Sequence, residues 1–301
     1  MKGAIMTDAR LGHSLRAGMA ARLGAGLAAL LCAVVAGPPA RAAGEGVTLA
    51  PHRAVYELAL STARNGTSMT SVAGRMVYDL TGSPCEGYTQ KMRFVTRMMN
   101  QSGSASVSDL RSTTWEDAGG KLFRFDSTQV RDDNKTGETT TGEATRLGAG
   151  EGVKVELTKP AKRTLSMPAG AYFPVQHTIA LIHAVRAGKS SFRADLYDGS
   201  EKGEKVYDTV SALGRAQAGS NRKLPQVTGS DRLNAMQAWP VSIAYFEPRS
   251  EGRDALPVYE ISFLMFENGV SRRLHIDYGD FALQGELTEI AFHEPSKCDQ
   301  K

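Results

Sequence analysis

From residue 50 onward, apolar and polar positions alternate along most of the chain, the period-2 signature of strands with one buried face. Within 88–98, Tyr88, Met92, Phe94 and Met98 share one face, while Thr89, Lys91, Arg93 and Arg97 share the other. Residues 72–80 repeat the pattern with Val72, Met76, Tyr78 and Leu80. Further strands are predicted near 52–61, 105–116, 121–131, 153–158, 192–198, 205–212, 238–247, 258–267, 270–278 and 281–292. The stretch 132–150, DDNKTGETTTGEATRLGAG, is polar and rich in Gly and Thr, and reads as exposed hairpins or a flexible insert. Residues 213–236 are poor in apolar side chains and read as a long loop.

Two hairpins can be tested for register. Asn268-Gly269, between VYEISFLMFE and VSRRLHIDY, is a strong two-residue turn signal. Pairing Glu267 with Val270 sets Phe263 opposite Leu274, Ile261 opposite Ile276 and Tyr259 opposite Tyr278. Turning again at Gly279-Asp280 sets Phe281 opposite Tyr278 and Leu283 opposite Ile276. One apolar face then runs over three strands without a slip, so 258–292 is predicted to be an antiparallel meander. In the first hairpin, a loop from Asn65 to Thr67 pairs Leu60 with Val72 and Tyr56 with Met76, with a bulge expected. The two-residue alternative sets Tyr56 against Arg75 and is disfavoured.

One segment, FPVQHTIALIHAVRAGKS, breaks the alternation. Pro174 suits a first helical turn and Gly188 a stop. Val175, Ile179, Leu181, Ile182 and Val185 fall within an arc of about 160° on a helix. Gln176, Ala180, Ala184, Ala187, His177 and His183 occupy the other side. The fold class is therefore mainly β: a large curved antiparallel sheet, or partly closed barrel, with one helix packed on its concave side.

The first 45 residues set the compartment. Lys2, Arg10, Arg16 and Arg22 stand against Asp8, followed by the uncharged run GLAALLCAVVAG at 26–37 and an A-x-A pattern at Ala40 to Ala42. These are the three parts of a secretory signal peptide. The apolar run is too short for the roughly 20 residues needed to span a bilayer. The alternative is a buried N-terminal helix. The division expected is 1–42 signal peptide and 43–301 a single β-rich periplasmic domain, with cleavage after Ala42 or Ala43. Cys32 leaves with the leader; Leu31 before it rules out a lipid-attachment site. The leader holds five of the 36 Lys and Arg and one of the 32 Asp and Glu, leaving 31 of each. The formal charge of +4 thus belongs to the leader. A balanced mature chain offers no electrostatic case for nucleic acid or an anionic membrane. After the leader, no apolar run is long enough to span a membrane.

Two cysteines remain, Cys85 and Cys298, and an even count in an oxidising compartment reads as a bridge. It would span 213 residues. Two free thiols or an intermolecular bridge are the alternatives.

Catalytic patterns are weak. Gly188-Lys189-Ser190 ends like a P-loop but follows a helix, and His183 stands where the first glycine belongs. LGAGEG at 147–152 lacks the last glycine of a dinucleotide motif. FHEPS at 292–296 lacks the second histidine of a zinc site. His177 and His183 sit about 120° apart on a helix, unsuited to one metal. The expected register places Ser262 opposite His275 with Asp277 two residues on, a triad in outline. Ladder strands give it neither oxyanion donors nor a nucleophile elbow, and a polar outer face accounts for all three. Met69, Met76, Met92, Met98, Met99 and Met265 suit either core packing or an adaptable apolar cavity.

Several stretches together resemble one family: YFPVQHT at 172–178, LYDGSEKGEKVYDTV at 196–210, WPVSIAYF at 239–246 and LPVYEISFLMFENGVSRRLHIDYGDFALQGELTEI at 256–290. With the leader, Cys85 and Cys298, they are similar to the EipB family of periplasmic cell-envelope integrity proteins. The resemblance implies a spiral or barrel-like sheet with an internal helix, reminiscent of envelope lipoprotein-carrier folds. It also implies a disulfide, at Cys85 and Cys298, and brings no catalytic residues, metal or cofactor. The function expected is a non-enzymatic periplasmic protein that maintains envelope integrity by binding another envelope protein. A hydrophobic-ligand or lipid carrier is the alternative, and a serine hydrolase on Ser262, His275 and Asp277 a minor one.

Overall fold

The computed structural model describes residues 46–298, apart from 133, 222–223, 226, 249–255, 295 and 297. The expected leader and Cys32 lie outside the described residues. The first half of the chain is a run of hairpins: β1 (His52–Ala63), β2 (Met69–Ser83), β3 (Gly87–Asn100), β4 (Ala105–Glu116), β5 (Leu122–Arg131), β6 (Asn134–Arg146), β7 (Val153–Lys159) and β8 (Arg163–Met167). Helix α1 (Pro174–Arg186) follows. The second half holds β9 (Ser191–Leu196), β10 (Tyr207–Leu213), β11 (Gln217–Ala218), the one-turn helix α2 (Asp231–Asn234), β12 (Gln237–Phe246), β13 (Tyr259–Phe266), β14 (Ser271–Asp277) and β15 (Phe281–Phe292).

These strands make one sheet, in the order β8-β7-β6-β5-β4-β3-β2-β1-β15-β14-β13-β12-β10-β9, with β11 attached to β12. All the strand pairings are antiparallel. The last strand thus returns to the first, and β8 and β9 are left as edges. The sheet is not closed there by a ladder. The segment after β8 instead straps the seam: Tyr172 N–H donates to Asp195 O (2.7 Å), and Tyr197 N–H donates to Tyr172 O (2.9 Å). Stacked Phe123, Phe125 and Phe173, with Tyr197 edge-on to the first two, fill the core behind the seam.

The predicted strands and helix are present, with three differences. The polar stretch 132–150 contains β6. Its inward positions, Thr140, Gly142 and Ala144, are small because Phe125 and Leu157 fill the space in front of them. A Cβ on Gly142 would lie 2.6 Å from the Phe125 ring, so a larger apolar signal has no room to appear. The second difference is β8, a short edge with little buried surface. The third is the stretch 213–236, a loop broken by β11 and α2, so a second helix accompanies α1.

The first hairpin pairs Tyr56 with Met76 as expected, with no register shift in the β1–β2 ladder; the bulges of β1 lie on its β15 side. The meander has the expected register at Ile261–Ile276, Ser262–His275 and Ile276–Leu283, but it does slip. Phe266 N–H donates to Val270 O (2.8 Å), so the turn holds Glu267, Asn268 and Gly269 rather than two residues. Gly269 takes the left-handed position (φ +85°) that such a turn requires. An extra residue in β14, with Arg273 at φ 56°, restores the register beyond Leu264. The bulge also buries Arg272, whose Nη2 donates to Pro225 O (2.8 Å).

Candidate ligand-binding interior

Helix α1 lies inside the curve of the sheet. Leu181, Ile182 and Val185 pack with Leu80 and Tyr88 from one half and Ile243 from the other. Because the sheet wraps the helix, burial extends beyond the expected arc: His177 and Ala184 are buried, Ile179 only partly, and His183 is exposed. The helix has no side-chain cap of its own at Phe173. Glu116, at the end of β4, supplies one. Its Oε2 accepts Val175 N–H (2.8 Å) and its Oε1 accepts Gln176 N–H (3.0 Å). Burial pushes this carboxyl up to about 7, against the pull of the two N–H groups. Arg146 clamps the approach to the helix: Nη1 donates to Ala169 O (2.6 Å), Nη2 to Ala171 O (2.7 Å), and the guanidinium lies 5.2 Å over the Phe173 ring. Gly188, in the left-handed region, ends the helix.

Beneath the helix is a cavity of ≈ 340 Å³. Most of its wall is apolar, including Leu49, Met76, Leu181, Ile261, Met265 and Ile276. Its polar lining includes His52, Gln90, His177 and Asp198. His177 is 4% exposed, 3.4 Å from Thr209 Oγ1, and edge-on to the Tyr172 ring. Burial lowers its pKa to about 4, so it is neutral over the physiological range. Burial likewise lowers His52 and raises Asp198. Asp198, half-buried, lines the void, and its Oδ1 accepts Ser200 N–H (2.9 Å). Tyr56 is anchored by its hydroxyl, which donates to Ser271 O (2.7 Å).

A second, open pocket of ≈ 540 Å³ occupies the same concave face, towards the hairpin ends of β2, β3, β4, β5, β14 and β15. Phe94, Met98, Leu110, Tyr278, Phe281 and Leu283 form its apolar surface. Arg131 and Asp132 stand in its polar wall, where Asp132 Oδ2 accepts Val107 N–H (2.7 Å). The voids share neighbouring walls. Met76 of the inner cavity pairs with Phe94 of the outer pocket, and Ile276 of the inner pairs with Leu283 of the outer. Of the six methionines singled out in the sequence, Met76 and Met265 line the inner cavity, Met98 lines the outer pocket, and Met99 is exposed.

The structure does bring Ser262 opposite His275, but no triad forms. Ser262 Oγ donates to Ser242 Oγ (2.9 Å), and Asp277 Oδ1 accepts Gly279 N–H (2.7 Å) in a turn. His177 and His183 do not converge, and among the described residues no group of three or more His, Cys, Asp and Glu is placed to hold a metal. In FHEPS, His293 Nε2 lies 3.2 Å from Asp79 Oδ1; Pro295 is outside the described residues. LGAGEG is a hairpin loop in which Leu147 N–H donates to Gly152 O (3.0 Å). Cys85 and Cys298 come together with Cα atoms 5.7 Å apart, within the spacing of disulfide-bonded pairs. No described helix is long and apolar enough to cross a membrane.

Glu116 and the seam strap were missed in the sequence. The cap bridges 59 residues and carries no local signature, since Glu116 in STTWEDAGG reads as a strand end before a turn.

Comparisons with known proteins agree with this architecture. The sequence profile of the EipB-like family matches residues 43–294. The cell envelope integrity protein EipB of Brucella abortus (strain 2308) is 38% identical over 258 residues, covering 86% of this chain and 89% of that protein. The crystal structure of a β-barrel-like protein from Brucella abortus, described as a domain of unknown function, superposes with a TM-score of 0.75 at 35% identity. That match covers 83% of this chain and 100% of the other.

Proposed function

The chain belongs to the EipB-like family, and on that premise we propose that it maintains cell-envelope integrity without catalysing a reaction, by binding another envelope component. The observation that carries this reading is the name and extent of the Brucella relative, joined to a concave interior built of apolar walls rather than reacting groups. The first-choice partner is another envelope protein. The chain is exported through the leader at 1–42, cleaved after Ala42 or Ala43, and the rest works in the periplasm as one β-rich domain. Cys85 and Cys298 are bridged there. Crosslinking and pulldown from intact periplasm, with lipid analysis of the same sample, tests the partner. Recovery of one envelope protein at constant ratio supports the reading, and recovery of neither protein nor lipid contradicts it. N-terminal sequencing of the exported protein should begin at Ala43 or Gly44; an intact Met1 would contradict export.

A second reading, a hydrophobic-ligand carrier, is favoured by one specific observation. The inner cavity falls within the volume range of small-molecule sites and is walled mostly by apolar side chains.

A further inference from the structure

Resting on the second reading, we infer that the concave face holds one unbranched acyl chain, with its tail in the cavity under α1 and an anionic head at the outer pocket beside Arg131. The shape of the void argues for a linear ligand. The two voids lie in line along β2, whose inward residues run from Val72 in the outer pocket to Leu80 in the inner cavity. That span is roughly 26 Å at the rise of a strand. Between the voids stand the side-chain pairs Met76–Phe94 and Ile276–Leu283. Methionine changes rotamer readily, so a narrow chain can pass by side-chain rotation alone. A wide rigid ligand would have to part the strands.

The charge distribution sets the orientation. Among the described residues lining the two voids, Arg131 is the only Lys or Arg. Its Nη2 is 3.3 Å from Gln129 Oε1, and it is exposed at the mouth. The neighbouring Asp132 carboxylate is engaged by Val107 N–H. Among the described residues the inner end offers no cation: it has the half-buried carboxyl of Asp198 and two histidines, His52 and His177, whose buried rings disfavour a proton. An anionic head driven inward would meet a carboxyl in a low-dielectric site, whereas at the mouth it remains hydrated and beside a guanidinium.

The test is calorimetric titration of the delipidated protein, purified from the periplasm, with dodecanoate, dodecanol and the compact apolar dye 1-anilinonaphthalene-8-sulfonate. Dodecanoate should bind at one per chain. Arg131→Glu should weaken dodecanoate roughly tenfold while leaving dodecanol within a factor of about two. Ser108→Trp, and independently Gln129→Trp, should plug the mouth and weaken both chains by roughly tenfold or more, with an unchanged melting temperature showing that each variant folds. Dye binding without dodecanoate binding overturns the acyl inference and leaves the carrier reading standing. Binding of neither overturns both. Equal dodecanoate affinity in wild type and folded plug variants overturns the route through the mouth.

Discussion

Glu116, the last residue of β4, caps the helix that begins at Pro174 by accepting the N–H of Val175 at 2.8 Å. A buried carboxyl from one half of the sheet thereby fixes the start of the element around which both halves curl. Its pKa, pushed up from 4.5 to about 7 by burial, makes the contact pH-dependent. The folded state retains this proton over a range in which the unfolded chain has released it. The stability gained is therefore full below about pH 4.5 and is lost as pH rises through about 7. His177 acts in the opposite sense: its depressed pKa removes stability as pH falls from 6.5 towards about 4. The difference between wild type and Glu116→Gln isolates the carboxyl. Melting temperatures from pH 4 to 8 should show wild type losing stability relative to the variant as pH rises. A pH-independent difference would contradict the assignment.

Ile182 is fully buried in the middle of α1. Ile182→Ala should cost about 2–5 kcal/mol, measured by denaturant unfolding. An unchanged midpoint would mean that α1 is not docked in the sheet.

Much of this architecture was legible because strands with one buried face write their burial as alternation. Ile261, Ile276 and Leu283 line up in the sequence as they do in the structure. Where packing calls for small residues the signal vanishes, as at Gly142 of β6, which yields its space to Phe125. A helical arc also understates burial when a sheet wraps the helix, and so His177, on the side opposite the arc, is buried as well. The cavities depend on which inward side chains fail to meet, a property of curvature that no local pattern encodes. The methionines gave a partial signal, through Met76, Met98 and Met265.

Cys298 lies beyond β15, outside the last ladder of the sheet. Bridging it to Cys85 over 213 residues should contribute roughly 5 kcal/mol in the chain-entropy picture. Reduction, or Cys298→Ser, is expected to lower the melting temperature by several degrees and to impair survival under envelope stress. Protein taken directly from the periplasm should show no titratable thiol when unfolded. Two free thiols would contradict the bridge.

Ser262 bonds to Ser242, and Asp277 is spent on a turn. Ser262→Ala and His275→Ala should each rescue a null strain fully under detergent or cell-wall antibiotic stress. Loss of rescue at normal protein levels would restore the case for a hydrolase.

The central claim is that the concave interior, not the outer face, binds the envelope component. Photo-crosslinking aromatic residues placed singly at Tyr278, an aromatic position already lining the mouth, and at Arg111, exposed on the outer face of β4, test it in living cells. The position-278 protein should capture an envelope component, and the position-111 protein should not, with both variants supporting growth under stress. Capture from position 111 alone would contradict the claim.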